Sequence, residues 1–223
     1  MGIITAEATY PHAYATYPGG DVPHPGGTAA VPEGYAPLPD GYQPRSFGGY
    51  STYLNEISDL GVAPFPGSRG DQPSVLIFNG AMMVAGASIA GAAYLLARAV
   101  EARSLAFVLG LHALGTFGVG LFPSDQRAIH LGAAVLTFAT GGVAALLASR
   151  VQAGAGRHAS ALLGAAILTS LVLTGLGPVT PVHAAIGPGG IERWIAYPTV
   201  LWLASFGGYL TGTPRIEDRA RED

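Results

Sequence analysis

The sequence predicts an all-α, polytopic transmembrane bundle of about five spanning helices, led by a disordered Pro/Gly/Tyr-rich segment. Three observations predict it. Between Ser74 and Leu210 five apolar stretches follow one another, and bilayer hydrocarbon ~30 Å thick is crossed by ~20 helical residues. The charged residues fall almost entirely in the short gaps between these stretches. The composition, 49% hydrophobic and only 11% charged, is too apolar for an ordinary soluble domain.

Residues 1–49 hold no apolar run long enough to span anything. Tyr10-Pro11, Tyr17-Pro18-Gly19-Gly20 and Pro23-His24-Pro25-Gly26-Gly27 belong to a composition that buries too little surface to fold alone. A disordered lead-in is expected, with an interaction tail as the alternative. A basic start, short apolar core and small-residue cleavage site are missing, so no secretory signal is read here. Residues 50–74 form a segment on the outer face leading into the bundle.

The spans follow at Val75–Ala97, Leu105–Phe122, Ala128–Ala148, Ala159–Leu176 and Ile191–Leu210. Gaps this short make successive helices antiparallel neighbours, so 75–210 reads as a compact up-down bundle. Gly86 with Ala90, and Ala87 with Gly91, offer small residues at four-residue spacing for close helix approach. Pro198 is expected to kink the last span or mark a local unwinding. Residues 211–223 are a charged tail.

Orientation follows from the arginines, because positive charge in short loops stays in the cytoplasm. Arg98, Arg103, Arg150, Arg157, Arg215, Arg219 and Arg221 share one side, with Arg45, Arg69, Arg127 and Arg193 opposite. This predicts a cell-membrane protein with the N-terminal segment outside and the C-terminus cytoplasmic. The chain has no cysteine, which removes disulfides, thiolate ligands and a cysteine nucleophile. A net charge of −3 argues against nucleic-acid binding.

The polar residues collect at the predicted outer edge: Asn55, Ser58, Asp59, Asn79, Ser124, Asp125, Arg127, His130, His183, Glu192 and Arg193. The inner edge carries mainly Arg-rich connectors. Polar chemistry is therefore expected at the outer mouth of the bundle.

Several of these residues sit in a recognisable order: Asn55-Glu56-Ile57-Ser58-Asp59-Leu60-Gly61, Phe78-Asn79-Gly80, Gly120-Leu121-Phe122-Pro123 followed by His130, and Gly190-Ile191-Glu192-Arg193. The ordered set, over about residues 50–210, resembles domain-of-unknown-function family 998, integral membrane proteins of archaea and bacteria. The resemblance implies six spanning helices and no established biochemical activity. It also implies a helix ahead of Ser58-Asp59-Leu60-Gly61, a place residues 1–49 do not fill. Two accounts stand: a five-helix variant, or a changed frame or start that replaced the first helix. A missing helix would leave a groove for a partner or a second copy.

Asp59, Asp125, His130 and His183 are the residue types that hold a hard or borderline divalent metal. Their spacing matches no compact metal motif. The plainer reading makes Ser58 and Asp59 caps of a turn or helix start. Glu192 stands where a helix dipole favours an anion. Adjacent Arg193 points to another face, toward Asp59, Asp125 or a lipid phosphate; its plain reading is an interfacial Arg beside the anchor Trp194. His112 is alone near the middle of a span, where an ionisable group faces the bundle interior. A proton relay or ligand contact is set there against a neutral His tied to Thr137, Thr140, Thr169 or Ser170.

These readings converge on a membrane protein that meets a lipid or small molecule at its outer face, through Asn79, Arg193 and His112. The enzymatic alternative is a membrane-embedded, metal-dependent lipid hydrolase, with Asp59, Asp125, His130 and Glu192 as ligands or general acid/base. A third reading is an accessory subunit of a membrane complex. Membrane lipids are the expected partners, with another membrane protein or self-association beside them.

Overall fold

The structure, a computed structural model, describes residues 2–9, 50, 52–53, 55–62, 73–98, 102–176 and 180–212. The described residues form helices α1 (Gly2–Thr9), α2 (Pro73–Arg98), α3 (Arg103–Leu121), α4 (Arg127–Val151), α5 (Gly154–Leu176) and α6 (Pro181–Gly212). A 3₁₀ turn, Ile57–Gly61, precedes α2. No strand occurs among the described residues.

Helices α2 to α5 are each long and apolar enough to cross a membrane. The fifth expected stretch lies in α6, and it carries Glu192 and Arg193 near its own start. Local chemistry sets the helix ends. α2 opens on Pro73, whose missing N–H costs nothing in a first turn. The Phe122 N–H donates to Gly118 O at the end of α3, and Pro123 cannot continue the ladder. Gln152 and Ala153 alone separate α4 from α5, with Gly154 at φ 58° making the turn.

The interruption in α6 is not where Pro198 suggested. Gly187 has φ 70° and ψ 172°, breaking the helix just before Pro188, whereas Pro198 keeps helical dihedrals. Proline is tolerated in such helices where neighbouring elements satisfy the freed backbone.

The helices pack in chain order, and α4 also touches α6. Small residues bring the axes together, though not all the expected ones do so. A Cβ at Gly86 would meet the Phe117 backbone on α3, one at Gly115 the Thr137 backbone on α4, and one at Gly164 the Gly142 carbonyl. Gly91 meets nothing, and Ala87 and Ala90 are exposed. Small residues assist packing only where a neighbour comes close.

Two apolar clusters fill the interior. Leu60, Phe78, Val119 and Ala196 cluster with Ala6 at the end where α2 and α6 begin, called here the cap end. Ala93, Leu105, Leu109, Ala145, Ala148, Trp202 and Phe206 fill the opposite end. Between them lie the buried polar residues His112, Thr116, Thr137 and Thr199. The outward faces expose Leu76, Val84, Leu95, Phe107, Leu162 and Val172. So continuous an apolar surface suits lipid rather than water.

Within residues 1–49, expected to be irregular throughout, Gly2–Thr9 is helical. Eight residues are too few for a stable isolated helix; packing supplies the stability. Ala6 is fully buried against the cap-end cluster, and α1 lies on α2 and the 3₁₀ turn. Residues 10–49 and the 213–223 part of the tail lie outside the described residues, as do Arg45, Arg69, Arg215, Arg219 and Arg221.

Candidate functional site: the cap over the bundle end

The cap is built on the 3₁₀ turn. The Asp59 carboxylate accepts the Glu56 N–H at 3.0 Å and the Asn55 side-chain amide at 3.3 Å. The Glu56 side chain accepts the Asp59 N–H in return. This reciprocal arrangement satisfies donors that a helix start leaves over. Asp59 therefore caps the turn.

Glu192 closes the same turn from α6. Its Oε2 accepts the Ile57 N–H in a close contact and the Ser58 N–H at 3.4 Å. Its place at the start of the last apolar stretch was expected to suit that helix's own dipole. The carboxylate instead serves the start of another element 135 residues away in sequence.

Arg193 reaches the other way. Its Nη1 donates to the carbonyls of Thr52 (3.1 Å), Asn55 (3.0 Å) and Gly189 (2.8 Å). Its Nη2 donates to Glu7 Oε1 at 2.9 Å and to the Tyr50 hydroxyl at 2.6 Å. The guanidinium also lies over the Tyr50 ring, 5.3 Å from its centroid, a favourable cation–π distance. Neither Asp59 nor Asp125 is the ion-pair partner; Glu7 is. The Tyr50 phenol donates to Glu56 O at 3.2 Å, and burial pushes its pKa up, so it stays a neutral donor.

Close approach of backbones makes these bonds reachable. Gly189 N–H donates to Tyr53 O at 3.1 Å, and a Cβ at Gly189 would strike the carbonyls of Asn55 and Thr52. At Gly187 a Cβ would strike the Tyr53 carbonyl, and the positive φ excludes it independently. Tyr53 Oη donates to Ala184 O at 2.8 Å, tying the cap to the short run before the break.

The remaining expected residues are scattered among different tasks. Asn79 Nδ2 donates to Gly61 O at 2.9 Å, fastening the turn to α2. His130 Nδ1 lies 2.7 Å from Phe122 O and ties the start of α4 to the end of α3. Asp125 is exposed in that connector. His183 N–H donates to Thr180 Oγ1. His112 is buried in the middle, its Nδ1 2.8 Å from Thr137 O; the tie goes to the backbone, not the threonine hydroxyl. Among the described residues no three His, Asp or Glu side chains are grouped to hold a metal ion. Asp59, Asp125, His130 and His183 do not converge.

Two features carried no visible signal. One is the partnership of Glu7 and Tyr50 with Arg193. The other is a buried chain at the opposite end: Trp202 Nε1 donates to Ser160 Oγ at 3.1 Å, and Ser160 donates to Gln152 Oε1. Polar chemistry is thus not confined to the cap end. Among the described residues, five buried side-chain polar atoms lack a hydrogen-bond partner, and four lie at the cap end: Ser74 Oγ, Asn79 Oδ1, His183 Nδ1 and Arg193 Nε.

Long apolar helices with lipid-suited faces, closed at one end by a hydrogen-bonded cap, define an integral membrane protein. The family model described as "Protein of unknown function (DUF998)" matches residues 36–209, and the chain belongs to that family. Neither the curated proteins nor the solved structures gave a match.

Proposed function

We propose that this membrane protein recognises an anionic group, a carboxylate or phosphate on a lipid or small molecule, at its cap end. The Arg193 side chain carries the reading. It is 9% exposed, its end is pinned by carbonyls, and its Nε–H has no partner. The Nε and Nη2 groups form the side fork that grips an oxyanion with two parallel bonds. Buried polar atoms are almost always satisfied, so the unpartnered atoms at this end support a polar ligand there. By the arginine rule the cap faces outward, since Arg98, Arg103, Arg150 and Arg157 flank the opposite end.

The hydrolase alternative is weakened because Asp59 and Glu192 accept backbone donors of one turn. Neither is presented as a free acid or base.

Native mass spectrometry of the protein extracted with its lipids tests the reading, followed by delipidation and titration with phosphatidylglycerol or phosphatidylcholine. One retained anionic lipid per chain, preferred over phosphatidylcholine and lost in Arg193→Lys, is expected. Lysine keeps the charge but has no side fork. A bare chain, equal retention of both lipids, or full binding by Arg193→Lys overturns it. A bare chain carrying only a second membrane protein would favour the accessory-subunit reading instead.

A further inference from the structure

The anion already on Arg193 belongs to the chain itself. Glu7 contacts Nη2 through one carboxylate oxygen and leaves the neighbouring Nε–H unpaired, so the side fork is half used. A ligand oxyanion free to choose its angle would take both donors. Glu7 is tied to α1, whose position is fixed by other contacts: Ala6 is fully buried beside the cap-end cluster, and Gly2 lies against Ala81 on α2.

We propose that α1 is an intramolecular competitor for the anion site, with Glu7 standing in for the ligand's carboxylate or phosphate until the ligand displaces it. This rests on the reading of Arg193 as an anion site. Three properties suit α1 to the role. It is eight residues long, too short to stay helical once released, so undocking is a single event. Among its residues only Ala6 is fully buried, while Ile4, Thr5 and Ala8 are exposed. It is joined to the cap through residues 10–49, a tether rich in Pro and Gly. Covalent attachment keeps the released helix in the same molecule, so redocking when the ligand leaves is intramolecular.

Displacement also has a defined consequence for the cap. Tyr50 and Glu7 share Nη2 of the same guanidinium, while Nη1 keeps its three carbonyls. Exchange of one oxyanion for another therefore leaves the cap anchored. The device switches α1, not the bundle.

The absence of cysteine allows a direct test on the full chain. Ala6→Cys places a thiol at a buried position of α1, and its maleimide labelling rate reports undocking. The probes are short-chain phosphatidylglycerol in detergent, phosphatidylcholine as control, and inorganic phosphate. Labelling is expected to rise with phosphatidylglycerol but not phosphatidylcholine; a rise with phosphate alone would assign a free anion as the ligand source. In the second arm, Glu7→Gln is expected to bind the effective probe about two- to fivefold tighter, the range set by a partly exposed ion pair. Circular dichroism confirms that the variant is folded. Equal binding by wild type and Glu7→Gln, or binding without faster Ala6→Cys labelling, overturns the competition while leaving the anion site intact. No binding of either anion by wild type or Glu7→Gln overturns both.

Discussion

Glu192 and Arg193 are neighbours in sequence and grip the cap from two sides. The carboxylate accepts the N–H groups that begin the 3₁₀ turn. The guanidinium donates to the Thr52 and Asn55 carbonyls just before it. Adjacent helical residues diverge by about 100°, as 3.6 residues per turn requires, so one dipeptide reaches both the donors and the acceptors of one loop. An acid supplied to N–H groups and a base supplied to carbonyls match the polarity that the backbone offers at each point. The dipeptide thereby fixes the cap without its two side chains pairing with each other.

Glu192→Ala should loosen the turn while sparing the helices. Alanine removes Oε2, the acceptor of both the Ile57 and Ser58 N–H groups, and leaves two donors of buried residues unsatisfied. A loss of about 1–3 kcal/mol is expected for such a change. Limited proteolysis between residues 50 and 62 in detergent micelles should accelerate, with helical circular dichroism unchanged at low temperature. Cleavage at the wild-type rate would show that Glu192 does not hold the turn.

Two glycine replacements should move stability in opposite directions. Gly187→Ala forces a side chain into a backbone region that only glycine occupies comfortably and against the Tyr53 carbonyl, a cost of about 1–3 kcal/mol. Gly91→Ala lies mid-helix with open space around it, where alanine gains about 0.5–1 kcal/mol. Thermal unfolding in one detergent should therefore give a lower Tm for the first and an equal or higher Tm for the second. The reverse order would contradict the described break in α6.

The helical bundle was readable because a membrane span is a local property: length, apolarity and charge at the ends are all written within one stretch. The polar bias of one end was readable for the same reason, once spans and connectors were placed. The pairings that build the cap are not local. Glu7 and Arg193 lie 186 residues apart, and nothing around Glu7 marks it as a partner. Gly187 and Pro198 show how a visible signal misleads: proline announces a break, yet Pro198 sits in an intact helix. The break falls at a glycine, where the Tyr53 carbonyl comes too close for any Cβ. Asp59 looks like a ligand by residue type, and its environment makes it a cap.

Ser160→Ala should destabilise the opposite end. The hydroxyl accepts from Trp202 Nε1 and donates to Gln152 Oε1, so removal strands a donor and an acceptor in the interior. The expected loss is about 1–3 kcal/mol. In a Trp194→Phe background only Trp202 reports, and its emission should shift as the indole N–H loses its acceptor. An unchanged spectrum and Tm would mean that the chain Gln152–Ser160–Trp202 contributes nothing to the packing of α4, α5 and α6.

His112 gives the opposite expectation. Its Nδ1 meets Thr137 O, but that carbonyl lies inside α4, where the helix's own ladder supplies it a donor. His112→Leu therefore leaves no acceptor stranded, and it fills a similar volume between α3 and α4. The stability change should stay within about 1 kcal/mol, the usual net worth of one such hydrogen bond. Anion retention at the cap end should be unaltered, because the substitution lies in the buried polar belt between the two apolar clusters. A large loss of stability would assign His112 a second essential bond. Loss of anion retention with an unchanged Tm would instead couple the middle of the bundle to the cap.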